Sequence, residues 1–351
     1  MDAFEYEALP GRIVFGAGAW QKIPDELSRL GARHVLVICG AGRQAQAEDL
    51  AALLGEAAAG IFARARPHVP AEQAEEVRGL ARRLGADALV SIGGGTPVGL
   101  AKAVAVELSI PVVAVPTTYA GSEMTDLVGI TRDGVKRTSQ DRRMLPRLVI
   151  YDPLLTVGLD AHTTATTGMN AVAHCVEALY AKRANPVTGL LAEAGLAALI
   201  RALPNAVRAP SDLQARGEAL YGAYLAGSAL GAAGIAVHHK ICHVLGASYG
   251  IGHGDANAVI LPHAVRYNQD AAPAAIKRVA AVLGGGDAAA KLFEFVQELG
   301  APSSLSDLGL DHGALDRIAA LTVETTTFNP RPVDHASLLV LLENAYHGRR
   351  P

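Results

Sequence analysis

For its first 150 or so residues the chain alternates short apolar runs with amphipathic stretches, and then the alternation stops. RIVFG at 12–16, HVLVIC at 34–39, ALVSIG at 88–93, VVAVP at 112–116 and RLVIYD at 147–152 read as strands, with helical segments around 20–29, 43–54, 71–84 and 97–108 between them. Strands that alternate with helices imply βαβ units and a largely parallel, Rossmann-like sheet. From Pro153 onward, Ala- and Leu-rich stretches of helical period follow one another at 163–182, 187–203, 212–231, 273–283, 287–299, 312–322 and 335–346. Pro and Gly punctuate them, as at Asn185-Pro186, Gly284-Gly285-Gly286 and Ala301-Pro302. The expected fold is an α/β N-terminal domain over 1–152 followed by an all-α C-terminal domain over 153–351, with the boundary at Asp152-Pro153. With 351 residues, half of them apolar, the chain can fill two cores.

Composition removes several classes of partner. The formal net charge is only -3, and the basic residues fall in scattered pairs such as Arg82-Arg83 and Arg142-Arg143, so neither nucleic acid nor an anionic membrane is an expected partner. The three cysteines, Cys39, Cys175 and Cys242, lack CxxC spacing, and MDAFEYEALP at the start has no basic or apolar signal region. A reducing, cytoplasmic setting without export is expected. Lys, Glu, Gly or Pro interrupt the apolar stretches before the roughly 18 residues that a membrane span needs.

Glycine turns at strand ends suggest where a cofactor binds. In SIGGGTPVGLAKAVA a strand runs into Gly93, Gly94 and Gly95, then Thr96 and a helix that contains Lys102. Glycines allow a ligand to approach the backbone, and the unpaired N–H groups of the helix start suit a pyrophosphate. The segment is neither GxGxxG nor a Walker A loop, so a dinucleotide is expected on position rather than on a fingerprint. PTTYAGSEMT adds hydroxyls from Thr117, Thr118, Ser122 and Thr125, together with Tyr119; Gly40 and Arg43 follow the second strand. No acid closes that strand to grip a ribose, so NADH and NADPH are both admissible.

The chemistry is expected in VHHKICHVLGASYGIGHGDANAV, which holds four of the chain's twelve histidines within sixteen residues. His239 and His243 are four apart, on one helical face with Cβ atoms about 5–6 Å from each other. TTGMNAVAHCVEALYA places Asn170 and His174 at the same spacing. Three imidazoles and an amide can converge on one pocket, but a divalent metal would want a carboxylate or a fourth imidazole where Asn170 stands. His238, about 100° round the helix from His239, is expected to be a packing residue, and His34, His68 and His347 surface ones.

GGGTPVGLAKA, PTTYAGSEMT, LPRLVIYDP, GMNAVAHCVEALYA, HHKICHVLG and LPHAVRYN together resemble the iron-containing alcohol dehydrogenase family, and within it the branch that reduces maleylacetate. The resemblance runs from RIVFGAG to NPRPV at 329–333 and implies the two-domain fold shared with dehydroquinate synthase. His174, His239 and His253 match the family's metal-ligating histidines, and His243 matches a further histidine near nicotinamide and substrate. Where metal-dependent members carry aspartates, this chain has Gly99 and Asn170. From those two losses no metal is expected to be required. A carboxylate about 6 Å from one end of a dianionic substrate would oppose binding by roughly 3 kcal/mol at an effective dielectric near 20, so Asn170 also admits a dicarboxylate.

The implied reaction is hydride addition from NADH, with NADPH second, to a C=C bond conjugated to a ketone. It calls for a donor at the ketone oxygen and an acid at carbon, roles expected of His243 and His253, with His239 and His174 shaping the pocket. Asn170, Lys240, Tyr119 and Arg331 are expected to hold substrate. Gly40, Arg43, Gly93, Gly94, Gly95, Thr96, Lys102, Thr117, Thr118, Ser122, Thr125 and Lys136 are expected around the cofactor. A homodimer is the base-rate expectation. The alternatives are a metal-dependent dehydrogenase of simple alcohols and a non-catalytic ligand sensor.

Overall fold

The computed structural model describes residues 4–9, 11–132 and 135–351, with the backbone alone for Val135, Lys136 and Arg137. They form two compact units, Leu9–Gly158 and Leu159–Pro351, the stretch up to Ala8 grouping with the second.

In the first unit, β1 (Arg12–Phe15), β2 (Val35–Cys39), β3 (Ala58–Phe62), β4 (Ala88–Gly93) and β5 (Val112–Pro116) are followed by a hairpin, β6 (Leu127–Arg132) with β7 (Val135–Gln140), and by β8 (Leu148–Tyr151). Helices α1 (Ile23–Arg29), α2 (Gln44–Leu54), α3 (Ala71–Arg83) and α4 (Gly95–Leu108) lie between them. Six strands make one sheet in the order β1-β8-β5-β4-β2-β3, and every pairing is parallel. Both faces are buried: Val35, Val37, Val90 and Val115 pack on one side, Leu36, Ile38, Leu89 and Val112 on the other. That two-residue alternation of apolar side chains onto two covered faces is why these strands read as continuous hydrophobic runs. From β2 the chain moves outward to β3, then returns across it to β4 and β5, so the strand order reverses between β2 and β4. Ligands of open α/β sheets bind beyond the carboxyl ends of strands at such a reversal.

The second unit is helical: α5 (Ala161–Ala178), α6 (Pro186–Arg208), α7 (Leu213–Ala233), α8 (Val237–Tyr249), α9 (His253–Asn268), α10 (Pro273–Val282), α11 (Ala288–Glu298), α12 (Leu315–Thr325) and α13 (His335–Tyr346). Asp160, Asn185 and Asp212 accept backbone N–H bonds at the starts of α5, α6 and α7, the usual work of N-cap side chains. Contrary to the expectation about apolar stretches, α6 is long and apolar enough to cross a membrane, although half of that window is buried in the unit. It packs on α5, α7 and α10, as the central helix of a bundle does. Between α7 and α8 the chain bends by 102°. Val237, Ile241 and Leu245 of α8 then face a core shared with Ile260, Ile318, Leu338 and Leu342. All three cysteines are buried free thiols, and burial raises each of them.

Candidate active site

At the sheet reversal the glycine loop is shaped by contact. Gly93 has φ +137°, a region that L side chains rarely adopt. A Cβ on Gly94 would stand 2.9 Å from Thr118 Oγ1, so only glycine lets the loops after β4 and β5 lie together. Gly95 opens α4, with Thr96 in its first turn, and Thr117 N–H donates to the Gly93 carbonyl at 3.0 Å. Thr118 Oγ1 is buried with no hydrogen-bond partner among the described residues, as fits a hydroxyl meant for a ligand. Gly40 and the half-buried Arg43 follow β2, next to β4 in the sheet.

Lys102 and Thr125 were expected at the cofactor, and the structure turns both inward. The Lys102 ammonium is fully buried and donates to the Ser122 carbonyl, to Thr125 Oγ1 at 3.0 Å and to the Leu127 carbonyl at 3.2 Å. It braces the loop that carries Ser122. Tyr119 is likewise wholly buried, and the Lys136 side chain lies outside the described residues.

Burial lowers the Lys102 ammonium to about 7 against the opposing pull of Glu123 and Asp126. In an unfolded chain that amine stays protonated to about pH 10.4. Between about pH 7 and 10 unfolding therefore takes up a proton, and stability rises with pH. Relative to Lys102→Met, the parent is expected to gain on the order of a few kcal/mol across that range in urea unfolding. Parallel pH slopes for the two proteins would show that the ammonium is not desolvated.

In the helical unit four imidazoles converge. The His174 and His239 rings stack at 5.0 Å, His243 and His253 at 5.9 Å, and His239 lies 6.3 Å from both His243 and His253. A Cβ on Gly254 would meet Thr166 Cβ at 2.9 Å, so the glycine after His253 is what brings the start of α9 down onto α5. Asn170, one turn before His174, is also buried. Burial, then the neighbouring imidazoles, hold His174 well below the usual histidine range.

The residue that organises the cluster escaped sequence reasoning. Glu177, completely buried on α5, accepts from His239 Nδ1 at 2.7 Å, from Ala236 N–H at 2.8 Å and from His238 N–H at 2.9 Å. Burial pushes this carboxyl up, but His239, His238 and the backbone donor outweigh it and leave it below the usual range. The first N–H groups of α8, which no local side chain caps, are thus capped from another helix by an anion, which the helix dipole also favours. An ionised carboxylate only accepts, so His239 Nδ1 carries the proton and Nε2 presents its lone pair. His238 is a packing residue: its Nε2 meets the Asn257 carbonyl at 3.3 Å, and burial, then His239, lowers it to about 3.

Arg331 lies over the Tyr267 ring at 4.2 Å, and Asn329 pairs with Asn268 and accepts from Val237 N–H. NPRPV thus ties the end of α9 to the start of α8. Lys240 is half-buried, and burial lowers its ammonium.

Models of the iron-containing alcohol dehydrogenase match residues 10–153, and of the Fe-containing alcohol dehydrogenase family, C-terminal, residues 164–346. The chain belongs to the iron-containing alcohol dehydrogenase family. Among relatives in this family, a maleylacetate reductase of Burkholderia cepacia is 47% identical over 351 residues, all of both chains. The solved maleylacetate reductase of Agrobacterium tumefaciens superposes with a TM-score of 0.96 at 44% identity over all of both chains. An iron-containing alcohol dehydrogenase of Corynebacterium glutamicum gives 0.94 at 38% identity, over 99% of this chain and 97% of that one.

Membership corrects the expectation that no metal is required, because the family, like the Corynebacterium glutamicum enzyme within it, is one of iron-containing alcohol dehydrogenases. The residues fit an ion. His174 Nδ1 and His239 Nε2 are buried without a hydrogen-bond partner among the described residues, in a donor set of imidazoles that suits a divalent transition metal. The inference from Asn170 failed because it counted negative charge only among direct ligands. Glu177 supplies that charge from behind His239, as carboxylates behind metal-binding histidines do.

Proposed function

We propose that this oxidoreductase reduces the C=C bond of maleylacetate, a small dicarboxylate, to give 3-oxoadipate, with NADH or NADPH as the hydride source. Full-length similarity to maleylacetate reductases carries this reading. The histidine cluster, with an amide rather than a carboxylate at Asn170, supports it. A dehydrogenase of simple alcohols has no such reason to avoid negative charge, and a bare sensor has no need of four clustered imidazoles.

Hydride added to the carbon β to the ketone leaves negative charge on the ketone oxygen, and the carbon between them then takes a proton. His174, His239 and His253 would hold the family's ion, which when bound supplies a Lewis acid for that oxygen. His239 serves through Nε2, since Glu177 keeps its proton on Nδ1. His243, stacked beside His253, is the imidazole left to deliver the proton to carbon. Asn170 offers amide hydrogen bonds without repelling a carboxylate, and Lys240, next to His239 on α8, offers a cation for an acid group, whereas Arg331 is engaged with Tyr267. In the other unit, the N–H groups at the start of α4 and the hydroxyls of Thr117 and Thr118 hold the cofactor phosphates. Arg43 in place of an acid after β2 leaves room for a 2′-phosphate, and the ratio of kcat/KM with NADPH and NADH measures that choice.

The test is NADH oxidation by metal-replete protein with maleylacetate, beside NAD+ reduction with short alcohols. Turnover dependent on maleylacetate is expected. Turnover of alcohols alone would replace this reading with that of a simple alcohol dehydrogenase.

A further inference from the structure

A second cluster of imidazoles lies apart in sequence from the first and shares no residue with it. Glu343 and His347 stand one turn apart at the end of α13, and His312 opens the short 3-10 turn His312–Ala314. Glu343 Oε2 lies 3.1 Å from His312 Nε2 and 3.6 Å from His347 Nε2, and the three donor atoms are all within 4.8 Å of one another. Both imidazoles therefore address one carboxylate oxygen.

We propose that His312, Glu343 and His347 form a surface site for a divalent transition metal of the zinc type. Ligand atoms about 2.0–2.1 Å from a tetrahedral zinc stand roughly 3.3 Å from each other, close to the two separations to Glu343. Two imidazole nitrogens and one carboxylate oxygen match the donor preference of zinc, nickel or copper, whereas magnesium and calcium take oxygen ligands. The rings are already held in place. Tyr346 packs edge-on against both, at 4.9 Å from His312 and 5.1 Å from His347. The backbones beneath are fastened as well: Leu305 N–H donates to the Ala345 carbonyl at 3.0 Å and Ser306 N–H to the Tyr346 carbonyl at 3.2 Å. Leu310, Ala314 and Ala345 share one core. Little ordering is left for an ion to impose, and preorganisation of this kind favours binding. The histidine side chains are 54% and 45% exposed, so water has access to the remaining coordination position. A bound ion would clamp the turn at His312 to the end of α13.

The experiment is calorimetric titration of chelator-stripped, untagged, full-length protein with Zn²⁺. The parent is expected to take up one equivalent more than the His312→Gln/His347→Gln double variant, which keeps whatever His174 and His239 bind. Glu343→Gln is expected to weaken that extra equivalent by at least about tenfold. Zinc should also raise the melting temperature of the parent more than that of the double variant. Reductase activity in the double variant is expected to equal that of the parent, since none of the three residues belongs to the histidine cluster. Equal stoichiometry and affinity in parent and double variant would overturn the site. Should the double variant fold poorly, His347→Asn alone decides by the same comparison.

Discussion

Glu177→Gln is expected to lower kcat about 10- to 100-fold, and to weaken the ion held with His239 by a similar factor. Gln keeps the shape of the side chain, but its NH2 group must face either the His238 N–H or the pair of donors from Ala236 and His239. One of these contacts turns repulsive, and His239 Nδ1 is left facing either the NH2 group or a neutral amide oxygen in place of the anion. A stability loss of about 1–3 kcal/mol should accompany this, the usual result of leaving a buried donor unsatisfied. Activity and Zn²⁺ affinity are to be measured below the melting transition of the variant, so that unfolding cannot account for the loss. Parent-like kcat and parent-like Zn²⁺ affinity together would show that Glu177 serves only as a cap for α8.

Asn170→Asp tests the charge of the pocket. At about 6 Å and an effective dielectric near 20, a new carboxylate opposes one end of a dianion by roughly 3 kcal/mol, which is about a hundredfold in affinity. The same carboxylate should strengthen ion binding, because it adds an anionic oxygen to a set of neutral imidazoles. Calorimetry with a six-carbon dicarboxylate in chelator-treated protein isolates the first effect. Unchanged affinity there would remove the electrostatic reason for an amide at this position.

Much of the α/β unit was legible because its central strands are buried on both faces and so announce themselves as apolar runs. The elements that went unread lack that signal. β3 is an edge strand of sequence AAGIF, with Gly60 at its centre. β7 pairs only with β6 and reads VKRTSQ, with little apolar content to mark it. Pro262 concealed α9, since proline inside a helix costs about 3 kcal/mol and normally ends it. Here Val259, Ile260, Leu261, Ala264 and Val265 are all buried, and their packing carries the helix through.

In the histidine cluster, i, i+4 spacing paired His239 with His243 and Asn170 with His174, the resemblance added His253, and chemistry that depends on distant partners stayed hidden. Lys102 was expected around the cofactor, yet its three acceptors lie 20–25 residues further along. Glu177 left a readable trace, three residues beyond His174 and so on nearly the same helical face. What the linear pattern could not supply was its partner, 62 residues away in sequence.

Cys175 and Cys242 are sequence neighbours of His174 and His243, yet helical geometry turns both sulfurs into the protein interior. A thiolate is the reactive form of cysteine, and burial disfavours it at both positions. Oxidants and alkylating agents that reach the histidine cluster therefore find no ready thiolate beside it. Modification of these sulfurs would instead report the moments at which the helical core comes open.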